Sequence, residues 1–273
     1  MPGHGGRHGQ SDHTDLNGQA MKYALLSDVH ANLPALDAVL ADIAPRNLDA
    51  AFHVGDLVGY APWPNEVVER VRGAGIPGVA GNYDSTVASG HKHCGCRYED
   101  PRQEALSHES YAWTRAHVSD ATKAALAQLP FRLDLRPLGG HVAGPTLMLV
   151  HGTPLNNTTY WTADRPDAFC LKMAAAAGAR AGDLIAFGHT HQAWHRIVNG
   201  VHFVNTGSVG RPKDGDWRAG FALVDIDATG AIAIDFVRVE YDIARAMDAI
   251  RRSDLPDEFA DYLRHGGQVP SPA

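Results

Sequence analysis

The chain has 273 residues, 44% of them hydrophobic, and a formal net charge of -7. That is enough apolar material for one substantial core, and too negative a balance for broad capture of a nucleic-acid duplex. No apolar run approaches the ~20 residues that a membrane-spanning helix needs. Three cysteines without a secretory apolar segment point to a reducing, cytoplasmic setting.

Residues 1–20 are rich in Gly, His and Asp, lack periodicity, and read as a disordered extension. The remainder, 21–273, reads as one domain with a loop and helical insertion around 85–130. An apolar run over 22–27 predicts a buried strand that ends at Asp28-Val29-His30. Residues 32–43 predict a helix capped by Asn32, with Leu33, Leu36, Val39 and Leu40 on one face. A strand over 50–54, with His53 in the core, leads to Gly55-Asp56, and a helix over 64–71 follows. A further strand over 76–80 enters Gly81-Asn82-Tyr83-Asp84.

Residues 85–100 hold His91, His93, Cys94 and Cys96 and read as a loop near the substrate, with a third metal as the rival reading. Helices over 101–117 and 120–129, the second capped by Ser119, precede strands over 131–138 and 146–150. The second of these strands runs into His151. Beyond it, the polar and aromatic residues 153–161 offer Tyr160 and Trp161 as walls for a base or aryl group, or Trp161 as packing for the next helix. A run over 184–187 precedes Gly188-His189-Thr190-His191. Asn199-Gly200 joins 194–198 to 201–204 as a hairpin. A closing hairpin over 221–225 and 231–240, then helices over 243–252 and 256–264, complete the chain.

Short apolar runs alternating with amphipathic helices predict a βαβ organisation. Side chains with metal affinity follow those runs: Asp28, His30, Asp56, Asn82, His151, His189 and His191. Carboxylate, amide oxygen and imidazole without thiolate suit Mn, Fe, Zn, Ni or Co. Seven ligands are too many for one ion with an open position. They suit two divalent transition-metal ions that share a carboxylate and keep water between them. In an extended segment residues i and i+2 point the same way, so Asp28 with His30, and His189 with His191, are expected to aim paired ligands into one cavity. Gly55, Gly81 and Gly188 precede ligands, where a missing Cβ permits close backbone approach.

In this order the motifs resemble the calcineurin-like metallophosphoesterase pattern D-x-H, G-D, G-N-H-[DE], H and G-H-x-H, from about Met21 into the mid-210s. The resemblance implies a four-layer α/β/β/α sandwich with a dimetal site at one sheet edge. It implies that Asp28, His30, Asp56 and His191 hold one ion, and that Asp56, Asn82, His151 and His189 hold the other. Asp56 would bridge them, and neutral Asn82 would add no charge against an anionic substrate. The implied activity is hydrolysis of a small phosphate ester by a hydroxide bridging two ions roughly 3.5–4 Å apart. Asn205 and Ser208, in a segment similar to the family's N-P-G-S element, would orient ligands by hydrogen bonding.

One position departs from the commonest pattern. Tyr83 stands where many members carry a His that, with the following acid (here Asp84), contacts the phosphoryl group or protonates the leaving group. Small bacterial phosphodiesterases with G-N-C-D also depart there and favour diesters, so the resemblance implies a phosphodiesterase. A phosphomonoesterase, protein phosphatases included, and a dinucleoside polyphosphate hydrolase are the alternatives. A metal-free scaffold is the other class, against which every ligand position is filled. Asp56, Asn82, Tyr83 and Asp84 are thus the expected catalytic residues. The leaving-group acid stays open among Tyr83, His91, His93 and a metal-bound water.

Overall fold

The computed structural model describes residues 20–96, 100–136 and 144–268. The expected N-terminal extension, apart from residue 20, lies outside them, as do parts of the 85–100 loop and the 131–138 strand. In chain order the elements are β1 (Met21–Leu26), α1 (Leu33–Ile43), β2 (Ala50–His53), α2 (Pro64–Gly73), α3 (Asn82–Ala88), α4 (Pro101–His117), α5 (Asp120–Leu126), β3 (Leu133–Leu135) and β4 (Leu147–Leu149). They continue with α6 (Asp167–Ala177), β5 (Leu184–Phe187), β6 (Trp194–Val198), β7 (Val201–Asn205), β8 (Ala219–Ile226), β9 (Ile232–Val239), α7 (Ile243–Arg252) and α8 (Glu258–Arg264).

The strands form two sheets, ordered β2-β1-β8-β9 and β3-β4-β5-β7-β6. In the first, β1 pairs with β2 in parallel; in the second, β4, β5 and β7 run parallel. Successive strand residues face opposite ways, and the apolar pattern uses both faces. Ala24 and Leu26 enter a core with Leu36 and Val39 of α1, Val67 and Val71 of α2, and Met247 of α7. Tyr23 and Leu25 enter a second core, shared with Leu149, Leu184 and Ala186 of the other sheet. Ile185 and Phe187 face a third, against Cys170 and Met173 of α6. Three cores between four layers make an α/β/β/α sandwich. Fully burying one such aliphatic or aromatic side chain contributes roughly 1.5–3 kcal/mol.

Most elements follow the sequence reading, and the exceptions have local causes. Residues 76–80 form no strand. Pro77 and Gly78 leave only an isolated parallel bridge from Gly78 to His53, where a Cβ would fall 2.1 Å from the His53 carbonyl oxygen. The strand expected over 131–138 is reduced, among the described residues, to Leu133–Leu135. Residues 85–88, expected as the start of a loop, belong to a helix that begins at Asn82. No helix among the described residues is long and apolar enough to cross a membrane.

Candidate metal centre

Loops leaving the carboxyl ends of parallel strands carry most of the expected ligands, which is where open α/β sheets collect their sites. Asp28 and His30 follow β1, Asp56 follows β2, His151 follows β4, and His189 and His191 follow β5. Asn82 is the first residue of α3, with extended Gly81 as its N-cap. The paired ligands do not lie on extended backbone as expected. Asp28 (φ 50°), His30 (47°), Asp56 (54°), His189 (66°) and His191 (60°) all adopt left-handed conformations. Each such residue costs on the order of 1–3 kcal/mol and persists only where its surroundings over-determine it. Here Asp28 N–H donates to the Gly55 carbonyl at 3.0 Å, His30 N–H to the Asp56 carbonyl at 3.0 Å, and Gly188 N–H to the His151 carbonyl at 2.8 Å. The loops thereby hold one another. Gly81 and Gly188 serve close approach: a Cβ would lie 2.0 Å from Asp56 Oδ1 at the first and 2.3 Å from Asp28 Oδ2 at the second.

The ligand atoms fall into two groups, Asp28 with His30 and His191, and Asp56 with His151 and His189, each within 4.8 Å. In three rings the Nδ1–H donates to a backbone carbonyl: His30 to Val58 at 3.0 Å, His151 to Val54 at 2.8 Å, and His191 to Arg211 at 2.6 Å. That fixes the tautomer and turns a bare Nε2 lone pair into the cavity. His30 and His191 then present these lone pairs to each other at 3.1 Å. Asp28 Oδ1 makes no hydrogen bond in the described structure and lies 3.3 Å from His191 Nε2 and 3.6 Å from His30 Nε2. Its other oxygen accepts from Ser27 Oγ and from His189 N–H.

Asp56 spans the two groups. Its Oδ2 lies 3.4 Å from His151 Nε2 and 3.8 Å from His30 Nε2, while Oδ1 accepts from Tyr83 N–H at 2.8 Å. Asn82 Oδ1 lies 3.0 Å from His151 Nε2, 3.0 Å from His189 Nδ1 and 3.2 Å from Asp56 Oδ2. Its Nδ2 donates to the Cys94 carbonyl at 3.3 Å and to Cys96 Sγ at 3.2 Å. Half a turn of the amide would put Nδ2 on the cavity acceptors, at the loss of both bonds to the cysteine loop. The inward oxygen is the orientation a cation requires. Lone pairs, an orphaned carboxylate oxygen and an amide oxygen converging without protons among them fit divalent ions.

The electrostatics agree. Burial drives His30 and His189 down to about 3, with neighbouring His191 and His151 pushing the same way. His191 is also held far below its usual range, by burial and then by the charges of Lys213 and Arg211. Neutral rings are the metal-binding state. At His151 burial again works downward, yet the charge and hydrogen bond of Asp56, with Asp28, carry it up to about 9. Burial and Asp56 likewise push Asp84 up to about 7. In both, the negative charge of Asp56 pushes upward, and a bound cation would offset that push.

The other expected residues take different places. Asp84 turns its oxygens to the backbone N–H groups of Leu57 (2.9 Å) and Gly81 (3.0 Å), tying the two ligand loops together. Tyr83 lies buried beneath His30, ring centroids 5.6 Å apart, with its hydroxyl at Ser107 and Ser110. Tyr160 lies against His189, ring centroids 4.6 Å apart and planes tilted by 32°. Trp161 is fully buried and stacks on Phe187 at 4.3 Å, so it is core and not a substrate wall. His91 and His93 are exposed. Asn205 Nδ2 donates to the Gly188 carbonyl, and Ser208 Oγ to the Asp28 carbonyl, at 2.8 and 2.7 Å. The sequence reading missed Arg211 and Lys213, two cations in the segment after Ser208. Burial, and after it the charge of Arg211, pull Lys213 down to about 8. A Gly-Arg-Pro-Lys run directly after a ligand-orienting loop was the available signal.

The sequence pattern of the calcineurin-like phosphoesterase superfamily domain matches residues 21–229. The chain belongs to that superfamily. It is 29% identical over 261 residues to an uncharacterised protein of Methanocaldococcus jannaschii, an alignment covering 88% of this chain and 96% of the relative. A metallophosphoesterase from Sphaerobacter thermophilus, 29% identical, superposes with a TM-score of 0.69 and covers 91% of this chain and 100% of its own. A hypothetical protein from Pyrococcus horikoshii OT3 shares the fold at 23% identity, TM-score 0.74, again over 91% and 100%. This calcineurin-like protein is a metal-dependent phosphoesterase, and its two ligand groups suit a pair of ions.

Proposed function

We propose that the enzyme hydrolyses phosphodiesters in preference to monoesters, in a cytoplasmic setting, with two divalent ions drawn from Mn, Fe, Zn, Ni or Co. Bound at Asp28, His30, Asp56, Asn82, His151, His189 and His191, the ions would supply Lewis acidity and an activated water. The chain's own part is positional. Asp56, with one oxygen fixed by Tyr83 N–H and the other between the two groups, sets their separation. Backbone carbonyls at Val54, Val58 and Arg211 hold three imidazoles in the correct tautomer. Asn82 ligates without adding a charge against the substrate, and Tyr160 offers an aromatic face beside His189 for the ester group.

The observation that carries the diester preference is the orientation of Tyr83. Monoester transfer passes through a loose transition state that loads charge onto the leaving oxygen, so it gains most from an acid facing that oxygen. At the position next to Asn82 the side chain is buried under His30 and its hydroxyl is engaged with Ser107 and Ser110. A diester depends more on the strength of the nucleophile, which the ions provide. The test compares bis-p-nitrophenyl phosphate with p-nitrophenyl phosphate on metal-stripped protein re-supplied with each ion, beside Asp56→Asn and His189→Ala. Metal-dependent diester cleavage that both substitutions abolish is the expected result; dominant monoester cleavage would overturn the preference.

A further inference from the structure

Arg211 is only 6% exposed, yet among the described residues its guanidinium makes no ion pair and no side-chain hydrogen bond. Burying an unpaired charge is costly, and here the compensation is aromatic. The guanidinium carbon lies 4.1 Å from the ring centroid of Tyr60, 5.5 Å from Tyr262 and 5.8 Å from Phe259. Such cation–π contacts hold a guanidinium in place without neutralising it. Two of those rings come from α8, which α4 anchors through Arg102 with Glu258 and Gln103 with Tyr262. Lys213, two residues on, likewise has no carboxylate partner among the described residues.

Both cations are fixed to the metal frame. Ser208 Oγ accepts from Arg211 N–H and donates to the Asp28 carbonyl, while Arg211 O accepts from His191 Nδ1–H and Lys213 N–H donates to His191 O. Two cationic residues, two apart in sequence, tied by backbone to the metal frame and without a carboxylate partner among the described residues, lack an anion.

We propose that Arg211 and Lys213 form a subsite for a second phosphoryl group, the leaving phosphate of a phosphoanhydride whose attacked phosphorus also carries an ester. This rests on the phosphodiesterase reading and narrows its substrate class. In such a substrate a water oxygen bonds to the ester-bearing phosphorus. The anhydride P–O bond breaks, and its electron pair stays on the bridging oxygen of the departing phosphate. The two protons of the water end on the products or in solvent. A phosphate leaves as a weak base and needs no acid, which matches the engaged hydroxyl of Tyr83. Two cations stabilise the charge it carries away.

The experiment is calorimetric titration of the Mn-loaded protein with methylphosphonate and methylenediphosphonate, neither of which is hydrolysed, in Mn-buffered solution. Wild-type protein should bind the diphosphonate about tenfold more tightly or better. Arg211→Met, which keeps the packed stem, and Lys213→Met should each move that ratio toward one, and Arg211→Lys should restore part of it. A ratio near one in wild type, or one that persists in both Met variants, would overturn the proposal. Because no turnover is involved, failure of the diester reading appears separately, as absent cleavage of bis-p-nitrophenyl phosphate.

Discussion

Gly81→Ala isolates the close approach on which the shared ligand depends. Gly81 has φ -79° and ψ -179°, a conformation that alanine adopts without strain. The whole effect therefore falls on what the new methyl meets: Asp56 Oδ1 at 2.0 Å and Asp56 N at 2.2 Å, where ordinary contact begins at 3.4 Å. The second of these is backbone and cannot rotate away. Overpacking of this kind costs about 1–3 kcal/mol. The displaced carboxylate is the one between both ligand groups, so both ions should weaken, by about 10–100-fold as for other disturbed ligand supports. Gly73→Ala is the control, because a Cβ there meets nothing within 4 Å; it should be neutral or stabilising by up to about 1 kcal/mol. Metal titration calorimetry with thermal unfolding of the metal-free proteins reads both effects. Wild-type affinity for both ions in Gly81→Ala would refute the reasoning.

Other substitutions separate frame from ligands. Asp84→Ala leaves the buried N–H groups of Leu57 and Gly81 unpaired, at about 1–3 kcal/mol each; urea unfolding should show the loss, and an unchanged midpoint would count against a tying role. Trp161→Ala should cost about 3–5 kcal/mol while metal stoichiometry stays at the wild-type value, whereas a loss of activity at full stability would mark it as a substrate wall after all. Burial alone holds His53 down to about 4, so the unfolded chain takes up this proton first as pH falls. The stability present above about pH 6.5 should then decline toward pH 4 by up to about 3 kcal/mol. His53→Gln should flatten that portion of the urea-midpoint profile, and parallel profiles would contradict the assignment.

Most strands, and the carboxylates and imidazoles that the structure brings into two groups, were legible because both rest on local rules. Near-continuous apolar runs in 22–27 and 184–187 mark two-sided burial, and hard ligands with no thiolate point to metal chemistry. What stayed hidden depends on tertiary contact. The left-handed turns at Asp28, His30, Asp56, His189 and His191 replace the extended geometry expected from i, i+2 spacing, because neighbouring ligand loops hydrogen-bond to one another. The sequence leaves Trp161 open between wall and packing, and its stack on Phe187 decides for packing. The Gly-Arg-Pro-Lys run marked Arg211 as a cation near the ligands but not as a buried one, since its cage draws on Tyr60 and on Phe259 and Tyr262, distant in sequence.

The most direct test of the dimetal account is the metal content of protein stripped and reconstituted with Mn, determined by mass spectrometry for wild type and for Asp56→Asn. Two ions per chain in wild type, with both weakened in the variant, is the expected result. A single ion in wild type, or two retained at full affinity without the Asp56 carboxylate, would contradict it.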